Sequence, residues 1–156
     1  MNDDWRDLLA SFRTSQVRCL VVGAHALAVH GVPRGTQDLD LWLDAAPENA
    51  TRAWKALLGW GAPLEALGIS RDDFARENVV VQLGLPPHRI DLLTSLTGLP
   101  SFEDAWMARL EVDLEGMTVD VLGRAALVQN KRATGRRRDL SDLEALGELP
   151  PTDRER

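Results

Sequence analysis

The sequence predicts one α/β (α+β) domain, a mixed central β-sheet flanked by helices, and three observations predict it. Its 156 residues suffice to bury one full core and are too few for two ordinary domains. A composition of 44% hydrophobic and 27% charged residues lies near the globular average and far from the disordered range. Along the chain, apolar residues at helical spacing give way repeatedly to short runs at period two. Residues 1–149 therefore read as a single domain and 150–156 as a disordered tail.

Trp5, Leu8, Leu9 and Phe12 recur at helical spacing, which predicts an amphipathic helix over 3–13 leading into an apolar strand over 17–22. Gly23 ends that strand, and residues 24–30 carry strong helix formers up to a stop at Gly31-Val32-Pro33. In Asp38-Leu39-Asp40-Leu41-Trp42-Leu43 the leucines alternate, as a strand with one buried face requires. Pro47 and Glu48 open a helix carrying Ala53, Trp54, Leu57 and Leu58, which stops before Gly59 and Gly61. Residues 62–75 carry no clear pattern. Apolar runs at 79–83 and 90–93 flank Gly84-Leu85-Pro86-Pro87 and predict an antiparallel hairpin. A helix is expected over 102–110, a tight hairpin around Glu115-Gly116, and a helix over 123–131. A last helix over 138–146 places Leu140, Leu143 and Leu146 on one face.

A formal charge of −6 argues against a surface given over wholly to nucleic acid, while a local basic patch can still meet phosphates. The single Cys19 excludes an internal disulfide and a Cys-cluster zinc site and fits a reducing compartment. No run reaches the roughly 18 apolar residues of a membrane span, and Met1-Asn2-Asp3-Asp4 lacks the basic start of a signal peptide. A cytoplasmic protein with no membrane partner is the expectation.

Asp38 and Asp40 are two apart on a strand, so both leave the same face with Cα atoms roughly 6.5 to 7 Å apart. Asp91 alternates out of phase with Ile90 and Leu92 and leaves the polar face of a neighbouring strand. The three acids would converge. Hard oxygen ligands favour Mg²⁺ or Mn²⁺, and such carboxylates can bridge two ions roughly 3.5 to 4 Å apart. Without a cation they repel one another, and at least one takes up a proton. Taken alone, Asp-x-Asp is usually just solvated; the flanking sequence singles this pair out.

Val21-Val22-Gly23-Ala24-His25-Ala26-Leu27, followed by Arg34-Gly35-Thr36-Gln37-Asp38-Leu39-Asp40-Leu41-Trp42-Leu43, resembles the signature of the DNA polymerase beta nucleotidyltransferase superfamily. Ile90-Asp91-Leu92 is similar to its third carboxylate strand. Lys131 with Arg136-Arg137-Arg138-Asp139-Leu140-Ser141-Asp142-Leu143 is most similar to the small bacterial group related to abortive-infection toxin nucleotidyltransferases. The resemblance spans residues 17–146 and implies a minimal nucleotidyltransferase fold. It also implies a metal site of Asp38, Asp40 and Asp91 binding two Mg²⁺ or Mn²⁺ ions, an NTP substrate, and Asp91 assisting deprotonation of the attacking hydroxyl.

By the same resemblance Lys131 lies beside the triphosphate. The acceptor is tRNA or other RNA, a protein or a small molecule, and an antitoxin is the partner to expect. Gly23 and the following helix start offer backbone N–H groups to phosphates. The family more often has Gly or Ser where this chain has Ala24, which can offer only its N–H, so a catalytically weak nucleotide- or partner-binding protein is the alternative. For His25, a ring packed at the helix start stands beside a nucleotide contact. Arg34 and Thr36 either meet phosphate or order their loop. Lys131, Arg132, Arg136, Arg137 and Arg138 form a basic patch or a solvated helix junction, and Asp139 is a candidate cap.

Overall fold

The computed structural model describes residues 1–36 and 38–148. Gln37 and the tail expected from residue 150 lie outside them. A six-stranded mixed sheet runs through the chain. Its strands are β1 (Cys19–Val22), β2 (Asp38–Leu43), β3 (Val80–Leu83), β4 (Arg89–Leu93), β5 (Leu110–Leu114) and β6 (Met117–Val121), in the order β3-β4-β2-β1-β6-β5. The central pair β1 and β2 is antiparallel, β2 pairs with β4 and β1 with β6 in parallel, and two antiparallel hairpins complete the edges. The helices are α1 (Asp3–Thr14), α2 (Gly23–Val29), α3 (Pro47–Trp60), α4 (Phe102–Met107), α5 (Arg124–Thr134) and α6 (Arg137–Ala145). No helix among the described residues is long and apolar enough to cross a membrane.

Period two in β2 sets the two faces of the sheet. Leu39, Leu41 and Leu43 are buried, and Leu39 and Leu41 stand beside Ile90 and Leu92 of β4, while Leu41 and Leu43 stand beside Val21 and Cys19 of β1. Leu8, Leu9 and Phe12 of α1 join this core, and α3 packs against α1. Burial of Cys19 pushes its thiol up to about 12, so it is an inert hydrophobe.

Most elements lie within a residue or two of their sequence expectation, and the differences have physical causes. α3 continues through Gly59 and ends at Gly61, whose left-handed φ of 103° closes the last turn. In the stretch without a pattern, Ser70 and Asp73 form a reciprocal cap on a 3₁₀ turn, Arg71–Ala75. α4 stops at Met107, three residues early, because Leu110 opens β5 as the partner of Val121. At the β5–β6 turn Glu115 and Gly116 both have positive φ, as a two-residue type I′ turn demands. α6 corrects the predicted face: Leu143 and Leu146 are buried, but Leu140 is 46% exposed, and Asp139 and Asp142 turn inward instead.

Candidate active site

The polar face of β2 and β4 floors a cleft of about 780 Å³, walled by the start of α2, the loop after β4, α5 and α6. Asp38 and Asp40 come from β2 and Asp91 from β4, and register brings them together: Asp40 is the direct Cα partner of Asp91, and Asp38 that of Arg89. All three predicted carboxylates line the cleft. Burial, then the neighbouring charges of Asp91 and Asp38, push Asp40 up to about 6. Asp91 is buried, and its Oδ1 accepts no hydrogen bond among the described residues.

Arg89 is the residue that sequence reasoning missed. Its Nη2 lies 2.9 Å from Asp38 Oδ2 and 3.3 Å from Asp91 Oδ2, and its Nε lies 3.2 Å from Asp91 Oδ1. The signal was present, since a residue two before Asp91 on one strand must share its face. With this guanidinium between Asp38 and Asp91, no three His, Cys, Asp or Glu side chains among the described residues form a ready metal cage. The donor set still fits a hard divalent cation. Its carboxylates offer oxygens only, the buried Oδ1 of Asp91 accepts no hydrogen bond among the described residues, and Asp40 is driven towards protonation by burial and then by its like-charged neighbours.

Gly23 begins α2 with a φ of 65°, and a Cβ there would collide with the Asp40 carboxylate. Its bare backbone is therefore required twice, by conformation and by space. Ala24 follows on the cleft wall. Thr36 also lines the cleft, but its hydroxyl serves the loop: Oγ1 accepts from the Asp38 N–H at 3.1 Å and donates to the Asp38 carbonyl at 3.2 Å. His25 does not line it. Its ring packs edge-on against Trp5 with centroids 5.1 Å apart, and burial lowers its pKa.

Lys131 reaches the cleft wall, yet its ammonium is bound by two acids of α6. Nζ lies 2.9 Å from Asp142 Oδ2 and 3.3 Å from Asp139 Oδ1, and all three side chains are buried. Arg34 pairs with Asp142 from the loop before β2. Arg136 pairs with Asp139 at 2.7 Å, while Asp139 caps α6 by accepting the Arg136 N–H at 3.1 Å. Burial alone would raise Asp139, but hydrogen bonds from Arg136 and Thr134 and the charge of Lys131 hold it well below the usual carboxylate range. Arg138 lines the cleft, is exposed, and has no ion-pair partner among the described residues. The cleft is thus acidic along the strands, with Arg89 set among the acids, and carries a positive charge without an ion-pair partner among the described residues at Arg138 of α6.

The loop after β4 is tied to α5. Gln129 Nε2 donates to Gly98 O at 2.6 Å and Asn130 Nδ2 to Thr97 O at 2.9 Å. A Cβ on Gly98 would strike Ala133, so the loop and α5 form a close-packed wall opposite the acids.

No known family profile matches the chain, and no curated protein matches it. Solved structures do. TM1012 of Thermotoga maritima, whose nucleotidyltransferase activity is itself an inference, superposes with a TM-score of 0.61 at 17% identity, over 93% of this chain and 91% of its own. The lincosamide antibiotic adenylyltransferase LnuA, with lincomycin bound, gives a TM-score of 0.58 at 12% identity over 96% and 98%. The chain has the nucleotidyltransferase fold over nearly its whole length. It is the fold expected from the Asp38-Leu39-Asp40 motif and its flanking sequence.

Proposed function

We propose that the protein is a metal-dependent nucleotidyltransferase that moves a nucleoside monophosphate from an NTP to a hydroxyl acceptor. The observation that carries this reading is the register of Asp40 opposite Asp91, with Asp38 beside them and bare backbone at Gly23 pressed against Asp40. Asp38, Asp40 and Asp91 would hold Mg²⁺ or Mn²⁺, two ions, whose charge offsets that of the triphosphate and the leaving pyrophosphate. Gly23 and Ala24 offer backbone N–H groups to phosphate oxygens. Asp91, whose Oδ1 is paired with Arg89 but accepts no hydrogen bond among the described residues, accepts the proton of the acceptor hydroxyl. At the far end Arg138, which has no ion-pair partner among the described residues, presents positive charge to the phosphates, while Arg34 and Arg136 line the same end already paired with Asp142 and Asp139.

The acceptor belongs to RNA, tRNA included, to a protein or to a small molecule. LnuA, matched over almost all of its length, is an adenylyltransferase of lincosamide antibiotics, which supports a small acceptor alongside the macromolecular ones. A toxin role with a paired antitoxin and a cytoplasmic location stay part of this proposal. A second reading, a nucleotide- or partner-binding protein without turnover, rests on Ala24 and on the neutralisation of Asp38 and Asp91 by Arg89.

Transfer of label from each α-³²P NTP to total RNA, tRNA and cell protein, with Mg²⁺ or Mn²⁺, separates the two. Transfer of the α label, absent in Asp38→Ala and Asp40→Ala, is the expected result. Metal-dependent NTP binding with no transfer to any acceptor, small hydroxylated molecules included, would favour the second reading.

A further inference from the structure

We propose that Arg89 is a resident counter-ion of the carboxylate site that competes with the divalent cation, leaving Asp38 and Asp91 when metal enters and turning to the phosphates of the nucleotide. This rests on the reading of the cleft as a metal–nucleotide centre and adds to it an exchange of partners.

The geometry makes the competition direct. Nη2 of Arg89 contacts Asp38 Oδ2 and Asp91 Oδ2 together, so a cation held by these two carboxylates would compete with the guanidinium for the same oxygens. The two positive groups would also repel at contact distance. Apart from Asp38 and Asp91, the Arg89 side chain has no ion-pair or hydrogen-bond partner among the described residues, it is 31% exposed, and it lines the same cleft as Arg138 of α6. It therefore has a route outward. A triphosphate bound in that cleft offers the displaced guanidinium the bidentate oxygen partners it has lost.

Two consequences follow from linkage. Metal alone must break both ion pairs and binds weakly, whereas metal and nucleotide together give Arg89 a new partner and bind synergistically, each raising the affinity of the other by the same factor. Arg89 is thus a positioning residue that keeps the acids apart from one another's charge until both ligands arrive. A purely structural ion pair would carry neither consequence.

The test is Mn²⁺ binding, read from the loss of the free-ion paramagnetic resonance signal, with and without a non-hydrolysable NTP analogue. It compares the wild type, Arg89→Met and Arg89→Lys, each checked for folding by circular dichroism. Without nucleotide, Arg89→Met is expected to bind Mn²⁺ about tenfold more tightly than the wild type, with Arg89→Lys between them. The synergy between metal and nucleotide should shrink in Arg89→Met. Folded variants that bind Mn²⁺ no better than the wild type, or synergy undiminished in Arg89→Met, would overturn the inference while leaving the proposed function standing. Should Arg89→Met not fold, Arg89→Lys decides alone: a tighter Mn²⁺ affinity supports the inference and an unchanged one overturns it. Absence of Mn²⁺ binding in every protein, with nucleotide and without, would remove the proposed function and the inference with it.

Discussion

Gly23 lies so close against Asp40 that a Cβ added to its backbone would enter the carboxylate, and its φ of 65° is one that side chains rarely adopt. The start of α2 and the middle of β2 are thereby locked in contact at the acidic floor of the cleft. Left-handed backbone costs a substituted residue about 1 to 2 kcal/mol, and the collision adds to it. Gly23→Ala is therefore expected to lower stability by about 2 kcal/mol or more and to abolish transfer by displacing Asp40. Urea denaturation of Gly23→Ala, Asp40→Ala and the double variant checks the cause. The account predicts that Asp40→Ala recovers the collision part of the loss without recovering activity; strictly additive effects would show that the two residues do not meet.

Lys131 gives a prediction of opposite character to the one its sequence context suggests. Removing a charge from a buried ion network leaves its partners uncompensated and typically costs about 3 to 5 kcal/mol. Because Asp139 keeps Arg136 and Asp142 keeps Arg34 when the ammonium they share is removed, Lys131→Met should destabilise the fold by no more than the low end of that scale, about 2 to 3 kcal/mol. Adding Asp139→Asn and Asp142→Asn should return part of the loss. A Lys131→Met protein of unchanged stability but weakened NTP binding would show instead that the ammonium serves the nucleotide.

The sequence made the polar faces of β2 and β4 legible because period two needs only local information: Asp38, Asp40 and Asp91 could be placed from parity alone. Their meeting was not legible in the same way. It depends on the register of two strands some fifty residues apart, and without the family resemblance parity fixes a face but no partner. α6 shows the complementary failure. A helical pattern counts apolar side chains, so it put Leu140 inside, where the molecule buries Asp139 and Asp142 against Lys131. The resemblance places Lys131 beside the triphosphate, but that its ammonium also meets Asp139 and Asp142 is not legible in the sequence, which shows a basic patch and not which of its charges are paired.

The metal-free protein should be most stable on the acid side of neutrality as far as Asp40 is concerned. Its folded pKa, about 6, stands above the ordinary 3.8, so the protonated form is favoured by folding. This contribution is fully present below about pH 4 and is lost as pH rises through 6. With its partial exposure allowed for, it amounts to about 1 to 2 kcal/mol. Chemical denaturation from pH 4 to 7.5 should show this fall in the wild type and not in Asp40→Asn. Mg²⁺ or Mn²⁺ should reduce it by favouring the ionised form.

Arg138 is exposed on the cleft wall with no ion-pair partner among the described residues. Arg138→Ala should therefore leave stability within about 0.5 kcal/mol of the wild type while raising the KM for NTP several-fold and flattening its dependence on salt. Triphosphate should lose more affinity than monophosphate. Equal loss for both would assign Arg138 to the nucleoside end.

The most direct test of the central claim is calorimetric binding of a non-hydrolysable NTP analogue with Mg²⁺, or with Mn²⁺, and with chelator, to the wild type, Asp40→Asn and Asp91→Asn. Binding that requires metal, is displaced by tripolyphosphate and is lost in both variants is the predicted result. Binding that persists in chelator, or survives both substitutions, would contradict a site in which Asp38, Asp40 and Asp91 hold the nucleotide through metal.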